Sequence, residues 1–402
     1  MTKLNNLVKY MATTYARPPI TIAQGQGSKV WDTENKEYID FTSGIAVTAL
    51  GHSDPGVSEV IAEQAPRLMH CSNLFFNEWA PQLSADLVER TIASGGMSTA
   101  AQVFLCNSGS ESNEAALKFA RKRGLTLGGP AKHEVVAFNG GFHGRTFGAL
   151  TATNNPKYQA PFAPMVPGFH YGSTNTEESL ALVTDKTCAV IVEPIQGEGG
   201  IHPCDLDWLR ALRAKCNETG ATLIYDEIQC GLGRSGDLWA HAAAGQNAEP
   251  DIVTMAKALG NGFPIGATMI SKEVNDVLKV GDHGTTYGGN PLGSRVGLYV
   301  LSQIDSEAVR MNVNARSQQI TQRAQKWIKE LGGTVTEVRG RGLLLGIQLS
   351  VDPAPVLAHC RDNGLLVITA GTNTLRLVPA LTISEDDVAH GLDIMEDALK
   401  AL

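Results

Sequence analysis

The chain has 402 residues, 43% of them hydrophobic and 18% charged, the balance of an ordinary folded protein with room for more than one core. A formal net charge of −8, with no block of lysine or arginine, argues against a nucleic-acid partner. No run approaches the ~20 apolar residues of a membrane span, MTKLNNLVKYMATTY lacks the continuous apolar core of a secretory signal, and the seven cysteines are scattered without a CxxC pair. Neither a metal site nor a disulfide framework is therefore expected, and an intracellular, reducing compartment is the simplest setting.

Residues 1–50 read as an arm leading into a short hairpin, because SKVWDTENKEYIDF alternates apolar and polar residues around the turn signal Glu34-Asn35. From 51 to 295 strand and helix patterns alternate. Strands are expected over 102–106, 134–138 and 188–193, and helices over 111–123 and 207–219, the latter with Leu206, Leu209, Leu212 and Cys216 near one face. This alternation predicts a large α/β domain whose mostly parallel central sheet is covered by helices on both sides.

Beyond 296 the character changes. A helix through Ile320, Ala324, Trp327 and Leu331 stops at Gly332-Gly333. Short strands are expected over 342–349, 364–369 and 374–378, and Ser384 caps a last helix whose first turn carries Glu385, Asp386 and Asp387. The segment 296–402 is thus expected to form a smaller α+β domain, against which the N-terminal arm packs.

Several strand ends carry residues suited to chemistry. The apolar run ending at Cys106 breaks at Asn107-Ser108-Gly109-Ser110 and a helix begins at once, so free N–H groups and the positive helix end favour an anion such as a phosphate. A plain helix cap, with Ser108 and Glu111 as a capping box, accounts for the same residues. In FNGGFHGRT, Phe142 and His143 stand between glycines, which suits an aromatic covering a planar ring, and Arg145 offers a bidentate fork to a carboxylate. A loop plug and a solvated charge are the plainer alternatives. EPIQGEGG places Glu198 in a loop at the same sheet edge, with Arg376 in TLRLVPAL as a candidate partner. HGTTYGGNP supplies the hydroxyls of Thr285 and Thr286 on a glycine-rich loop.

Asp226 closes the apolar run Leu223-Ile224-Tyr225, and Lys257 follows the run 252–256, thirty-one positions later (257 − 226 = 31). One βαβ-sized connection separates them, so acid and amine converge at the carboxyl edge of a parallel sheet. A pyridine cofactor bearing an aldehyde requires that pair: an amine to condense with the aldehyde and a carboxylate to keep the ring nitrogen protonated.

Together, DFTSGIAVTALGH, SNLFF, NSGSESNEAALKFAR, FHGRT, EPIQGEGG, DEIQCGLGRSG, MAKALGNGFPIGA, HGTTYGGNP and RLVPALTIS resemble the class-III aminotransferases, and they span nearly the whole chain. The resemblance implies the fold of the type-I pyridoxal-phosphate enzymes, pyridoxal 5'-phosphate as cofactor, and a homodimer with shared active sites. It implies Lys257 as the lysine that holds the cofactor and then moves a proton, and Asp226 as the partner of the ring nitrogen. Gln229 would bond the phenolic oxygen, Ile228 and Phe142 would pack on the two ring faces with His143 adjacent, and Ser108, Gly109 and Ser110 would hold the phosphate with Thr286 of the second subunit.

For substrates the resemblance implies an ω-amine donor and 2-oxoglutarate. Arg145, with Thr285 nearby, would clamp the donor's distant carboxylate. Arg376 would take the carboxylate beside the reacting carbon of 2-oxoglutarate, with Glu198 pairing to Arg376 whenever that carboxylate is absent. The Ser43-Gly44-Ile45-Ala46 segment lacks the tyrosine that contacts a free α-amine in ornithine-specific relatives, so transfer of the δ-amino group of N-acetylornithine in arginine biosynthesis is expected. Succinylornithine, ornithine and 4-aminobutyrate are the alternative donors, and a racemase or decarboxylase on the same cofactor is the alternative class. Relatives of this kind are mitochondrial in fungi and cytoplasmic in bacteria. Cys230 and Ser235 depart from the commoner threonine or serine and threonine at their positions.

Overall fold

The computed structural model describes residues 7–402, so the first six residues of the expected arm lie outside it. Its centre is a seven-stranded sheet built from β1 (Ala100–Cys106), β2 (Glu134–Phe138), β3 (Phe169–Gly172), β4 (Thr187–Val192), β5 (Thr222–Asp226), β6 (Ile252–Met255) and β7 (Gly266–Ser271), in the spatial order β1-β7-β6-β5-β4-β2-β3. Every strand is parallel to its neighbours except β7, which runs antiparallel to both β1 and β6. β4, β5 and β6 are buried along their whole length, which is why they read as unbroken runs of Val, Ile, Leu and Met rather than as alternating patterns.

Helices Gly109–Gly128 and Leu206–Thr219 cover the sheet and bury separate stripes. Leu209, Leu212 and Cys216 lie on the buried face of the second, which ends at the left-handed Gly220, whereas Leu206, at its first position, is 37% exposed because the face turns outward at the helix start. The first begins two residues earlier than expected, after the cap Ser108, and runs five residues further, to Gly128. The strand expectations hold to within two residues: 102–106 extends to Ala100, 134–138 is matched at both ends, and 188–193 is shifted one residue to Thr187–Val192.

The remainder forms two four-stranded sheets. Ile22–Gln26, Lys29–Asp32 and Glu37–Asp40 pair as a meander, and Leu365–Leu366 joins its far edge in parallel with Ile39 and Asp40, so the expected hairpin is tied to the C-terminal segment. Asn35, with φ 62°, makes the turn the sequence marks. The second sheet contains Val335–Arg341, Leu344–Leu349, Thr374–Leu377 and Ile368–Ala370, all antiparallel. The run expected as one strand over 364–369 is therefore split between two sheets. The final helix, Glu385–Lys400, starts where Ser384 accepts the Asp387 amide. All seven cysteines are unpaired thiols, and six are buried.

Candidate active site

Parallel pairing places the ends of β5 and β6 side by side, with Asp226 opposite Thr254, and Lys257 lies just past the end of β6. β1, β2 and β4 end at the same edge, so the loops after them converge on one cavity of about 310 Å³ lined by Ser108, Gly109, Phe142, Asp226, Gln229 and Lys257 among others. Lys257 has φ 42°, a left-handed conformation that a non-glycine residue adopts only when its surroundings enforce it. A second strained turn borders the cavity: Ser43, Gly44, Ile45 and Ala46 have φ of 46°, 64°, 66° and 60° and lead into Val47 on its wall. Burial pushes the Lys257 ammonium below the ordinary lysine range; Glu198 opposes this and Arg376 reinforces it.

Asp226 is held by a network the sequence did not expose. Its Oδ2 lies 2.7 Å from His143 Nδ1 and accepts the Asn113 amide at 2.7 Å, while Oδ1 accepts the Ile228 N–H at 3.1 Å. Asn113 also donates to the His143 carbonyl at 2.8 Å and accepts from Thr254 Oγ1 at 2.8 Å. Burial disfavours a charged His143, but the hydrogen bond and charge of Asp226, with Glu193 beyond, reverse that and raise its pKa above the usual imidazole value. Asn113 was missed; its only signal is a polar side chain on the buried stripe of the helix, beside Ala116 and Ala120.

After β1 the capping box is formed, and the helical turn it opens lies on the cavity wall. Ser108 is the helix cap and accepts the Glu111 amide at 3.2 Å, while Glu111 reaches back to the Asn107 N–H at 2.6 Å. The amides of Gly109 and Ser110, in the first helical turn, have no acceptor within the helix and lie on the cavity wall. A side chain at Gly109 would come within 2.9 Å of Ile228 Cδ1, so glycine keeps the cradle open.

Glu193 is a second residue without a sequence-level role. It is buried and accepts the Phe142 amide at 2.8 Å and the Gly197 amide at 3.0 Å, joining the loop that carries Phe142 to the loop that carries Glu198. Burial, reinforced by the charge of Asp226, pushes its carboxyl up to about 7. Arg376, in strand Thr374–Leu377, is 2% exposed; its Nη1 pairs with Glu198 Oε1 and donates to Gln229 Oε1 at 3.2 Å. Its Nε is buried and has no partner among the described residues.

The other expected residues lie apart from Lys257 within one chain. Arg145 points into a separate recess, its guanidinium carbon 3.7 Å from the Tyr158 ring centroid. Thr285 accepts from Asn107 Nδ2 at 3.1 Å and lines a third cavity with Thr286, which is exposed. Asn73 Nδ2 donates to the Thr285 and Gly288 carbonyls at 3.3 and 2.9 Å, binding the SNLFF segment to this loop.

The family "Aminotransferase class-III" matches residues 10–399, and the chain belongs to it. It is similar to the mitochondrial acetylornithine aminotransferase of Yarrowia lipolytica, with 59% identity over 99% of this chain and 96% of that relative. Among solved structures it resembles the N-acetylornithine aminotransferase of Stenotrophomonas maltophilia, at 38% identity and TM-score 0.83 over 98% of both chains. It also resembles the ornithine aminotransferase of Toxoplasma gondii, at 30% identity and TM-score 0.91 over 99% of this chain and 94% of that one. The backbone is thus shared between relatives named for different donors, and the donor must be read from side chains.

Proposed function

We propose that this aminotransferase moves the δ-amino group of N-acetylornithine to 2-oxoglutarate, giving N-acetylglutamate semialdehyde and glutamate, with pyridoxal 5'-phosphate as cofactor. The donor set fits that group: the Gly109 and Ser110 amides suit a phosphate, Asp226 with its His143 backing suits a protonated ring nitrogen, and Gln229 suits a phenolic oxygen. Ile228 and Phe142 are placed to wall a flat ring. The cofactor, when bound, supplies the electron sink that lets the substrate carbon give up and regain a proton, and it carries the amino group between substrates. Lys257, whose burial favours the neutral amine, would hold the cofactor and would move the proton at the reacting carbon.

One observation carries the choice of donor. Arg376, linked to the cavity wall through Gln229, is already paired with Glu198, whereas the Arg145 guanidinium is stacked on aromatic rings and its N–H edges have no acceptor among the described residues. A site in that state accepts a substrate whose only carboxylate is distant from the reacting amine. When 2-oxoglutarate enters, its carboxylate beside the reacting carbon takes Arg376 and Glu198 withdraws; the partly exposed side chain of Glu198 has room to do so.

The reading includes a homodimer. Leu74, Phe75, Phe76 and Tyr287 are 86%, 72%, 99% and 62% exposed around the Thr285-Thr286 loop, an apolar patch that a second copy would cover while delivering its Thr286 to the phosphate cradle. It also includes a mitochondrial compartment, as for the Yarrowia relative. The test is spectral. Absorbance of the cofactor-loaded protein is lost on adding N-acetylornithine and restored by 2-oxoglutarate; recovery without the keto acid, as a racemase or decarboxylase would show, overturns the proposal.

A further inference from the structure

The recess bordered by Arg145 has a volume of about 450 Å³ and is walled by Tyr15, Phe147, Leu150, Tyr158 and Phe162. Its geometry is fixed from two sides. The Arg145 amide donates to Ser110 Oγ at 3.2 Å, which ties it to the phosphate cradle. Tyr158 lies in the short helix Pro156–Gln159, and the Gln159 side-chain Nε2 donates to the carbonyls of Leu150, Thr151 and Thr153 at 3.1, 3.1 and 3.0 Å, which clamps that turn onto helix Phe147–Ala152. The guanidinium face is thereby used in stacking, 3.7 Å from Tyr158 and 5.6 Å from Phe142, and its edges are left for a bidentate acceptor. Among the described residues that line the recess, Arg145 is the only charged one and none is a carboxylate.

Building on the reading of the donor given above, we propose that this recess is the subsite for the acyl group on the donor's α-nitrogen, and that Tyr158 positions Arg145 for the neighbouring carboxylate. In an N-acylated amino acid the carboxylate and the acylated nitrogen share one carbon. A carboxylate held by Arg145 therefore delivers the acyl group into the space that Arg145 borders. A neutral amide with a small apolar tail suits aromatic walls, whereas a free α-ammonium would lie beside a guanidinium with no acid to pair it, an arrangement that raises its free energy. The recess thus selects the acylated donor by withholding a counter-charge rather than by shape alone.

The test uses the cofactor-loaded enzyme with N-acetylornithine, N-succinylornithine and ornithine, in Tyr158→Leu, Tyr158→Phe and Phe162→Asp variants whose folding is checked by circular dichroism. Tyr158→Leu raises KM for N-acetylornithine by about 5- to 10-fold with kcat little changed, and Tyr158→Phe restores it. Phe162→Asp, an exposed position, shifts the ratio of kcat/KM for ornithine over N-acetylornithine by at least about 10-fold toward ornithine. As a readout without turnover, calorimetry of cofactor-free protein shows N-acetylnorvaline binding more tightly than norvaline, and Tyr158→Leu reduces the difference. An unmoved donor ratio in Phe162→Asp, or a loss in Tyr158→Leu that falls on kcat for every donor equally, overturns the subsite while leaving the donor assignment intact. A wild-type enzyme that uses ornithine but no acylated donor overturns both.

Discussion

Glu198→Ala separates the two half-reactions, and the size of the effect follows from burial. The Arg376 side chain is 3% exposed and its carboxylate partner 32% exposed. Unit charges in contact at an effective dielectric of about 20 interact by about 4 kcal/mol. Solvent access on the Glu198 side reduces this to about 1–2 kcal/mol, or about 5- to 30-fold in rate. Among the described residues, removing Glu198 leaves Arg376 with only the Gln229 oxygen at 3.2 Å and an Nε that already lacks a partner. The donor brings no carboxylate to that position, so the donor half-reaction bears the whole cost, and a donor that docks backwards onto Arg376 adds to it. Glutamate and 2-oxoglutarate supply their own carboxylate and no longer displace Glu198, so their half-reaction is nearly unchanged. Rapid-mixing single turnovers followed by cofactor absorbance measure each half separately. Equal losses in the two halves refute the switch.

Gly109→Ala places a methyl within 2.9 Å of Ile228 Cδ1 and narrows the cradle, so titration of cofactor-free protein should show pyridoxal phosphate binding weakened by about 10-fold with little change in unfolding midpoint. Asp226→Asn deprives the buried His143 of its carboxylate partner, which should cost about 1–3 kcal/mol in urea unfolding as well as abolishing most turnover. Glu193 has a folded pKa of about 7 against an ordinary 4.5, so its contribution to stability is fully present below about pH 4.5 and is lost as pH rises through 7. Glu193→Gln should flatten that part of the pH dependence of the urea midpoint, and a slope unchanged between pH 4.5 and 7 would count against the assignment. Phe76→Asp changes a side chain 99% exposed in the single chain and should leave its fold intact; on the proposed dimer, sedimentation should show a monomer and turnover should be lost, and a dimer of unchanged activity would count against that proposal.

The central sheet was legible because its inner strands are buried on both faces. Val190, Ile191, Leu223, Ile224, Ile252 and Val253 have essentially no exposure, and unbroken apolar runs result. The same property hid the direction of β7, since a strand buried on both sides reads alike parallel or antiparallel. Ile22–Gln26 escaped notice for the opposite reason: it is mostly exposed and carries only two apolar residues, Ile22 and Ala23. The split of 364–369 between two sheets was invisible because Val367, where the chain changes partners, continues the local apolar pattern.

The chemistry at the strand ends was a property of the sequence alone. An acid or a lysine that terminates an apolar run must emerge at the sheet edge, because strand direction and alternation leave it nowhere else, and Asp226 and Lys257 meet for that reason. What the tertiary structure alone decided is which distant groups complete them: Asn113 and His143 behind Asp226, Glu193 between two loops, Glu198 on Arg376, and Tyr158 beneath Arg145. These contacts join residues up to 178 positions apart and depend on loop paths and side-chain rotations, which no local periodicity records. A strand pattern carries the position of a functional group; only the folded chain gives that group its partners, its charge state and its choice of substrate.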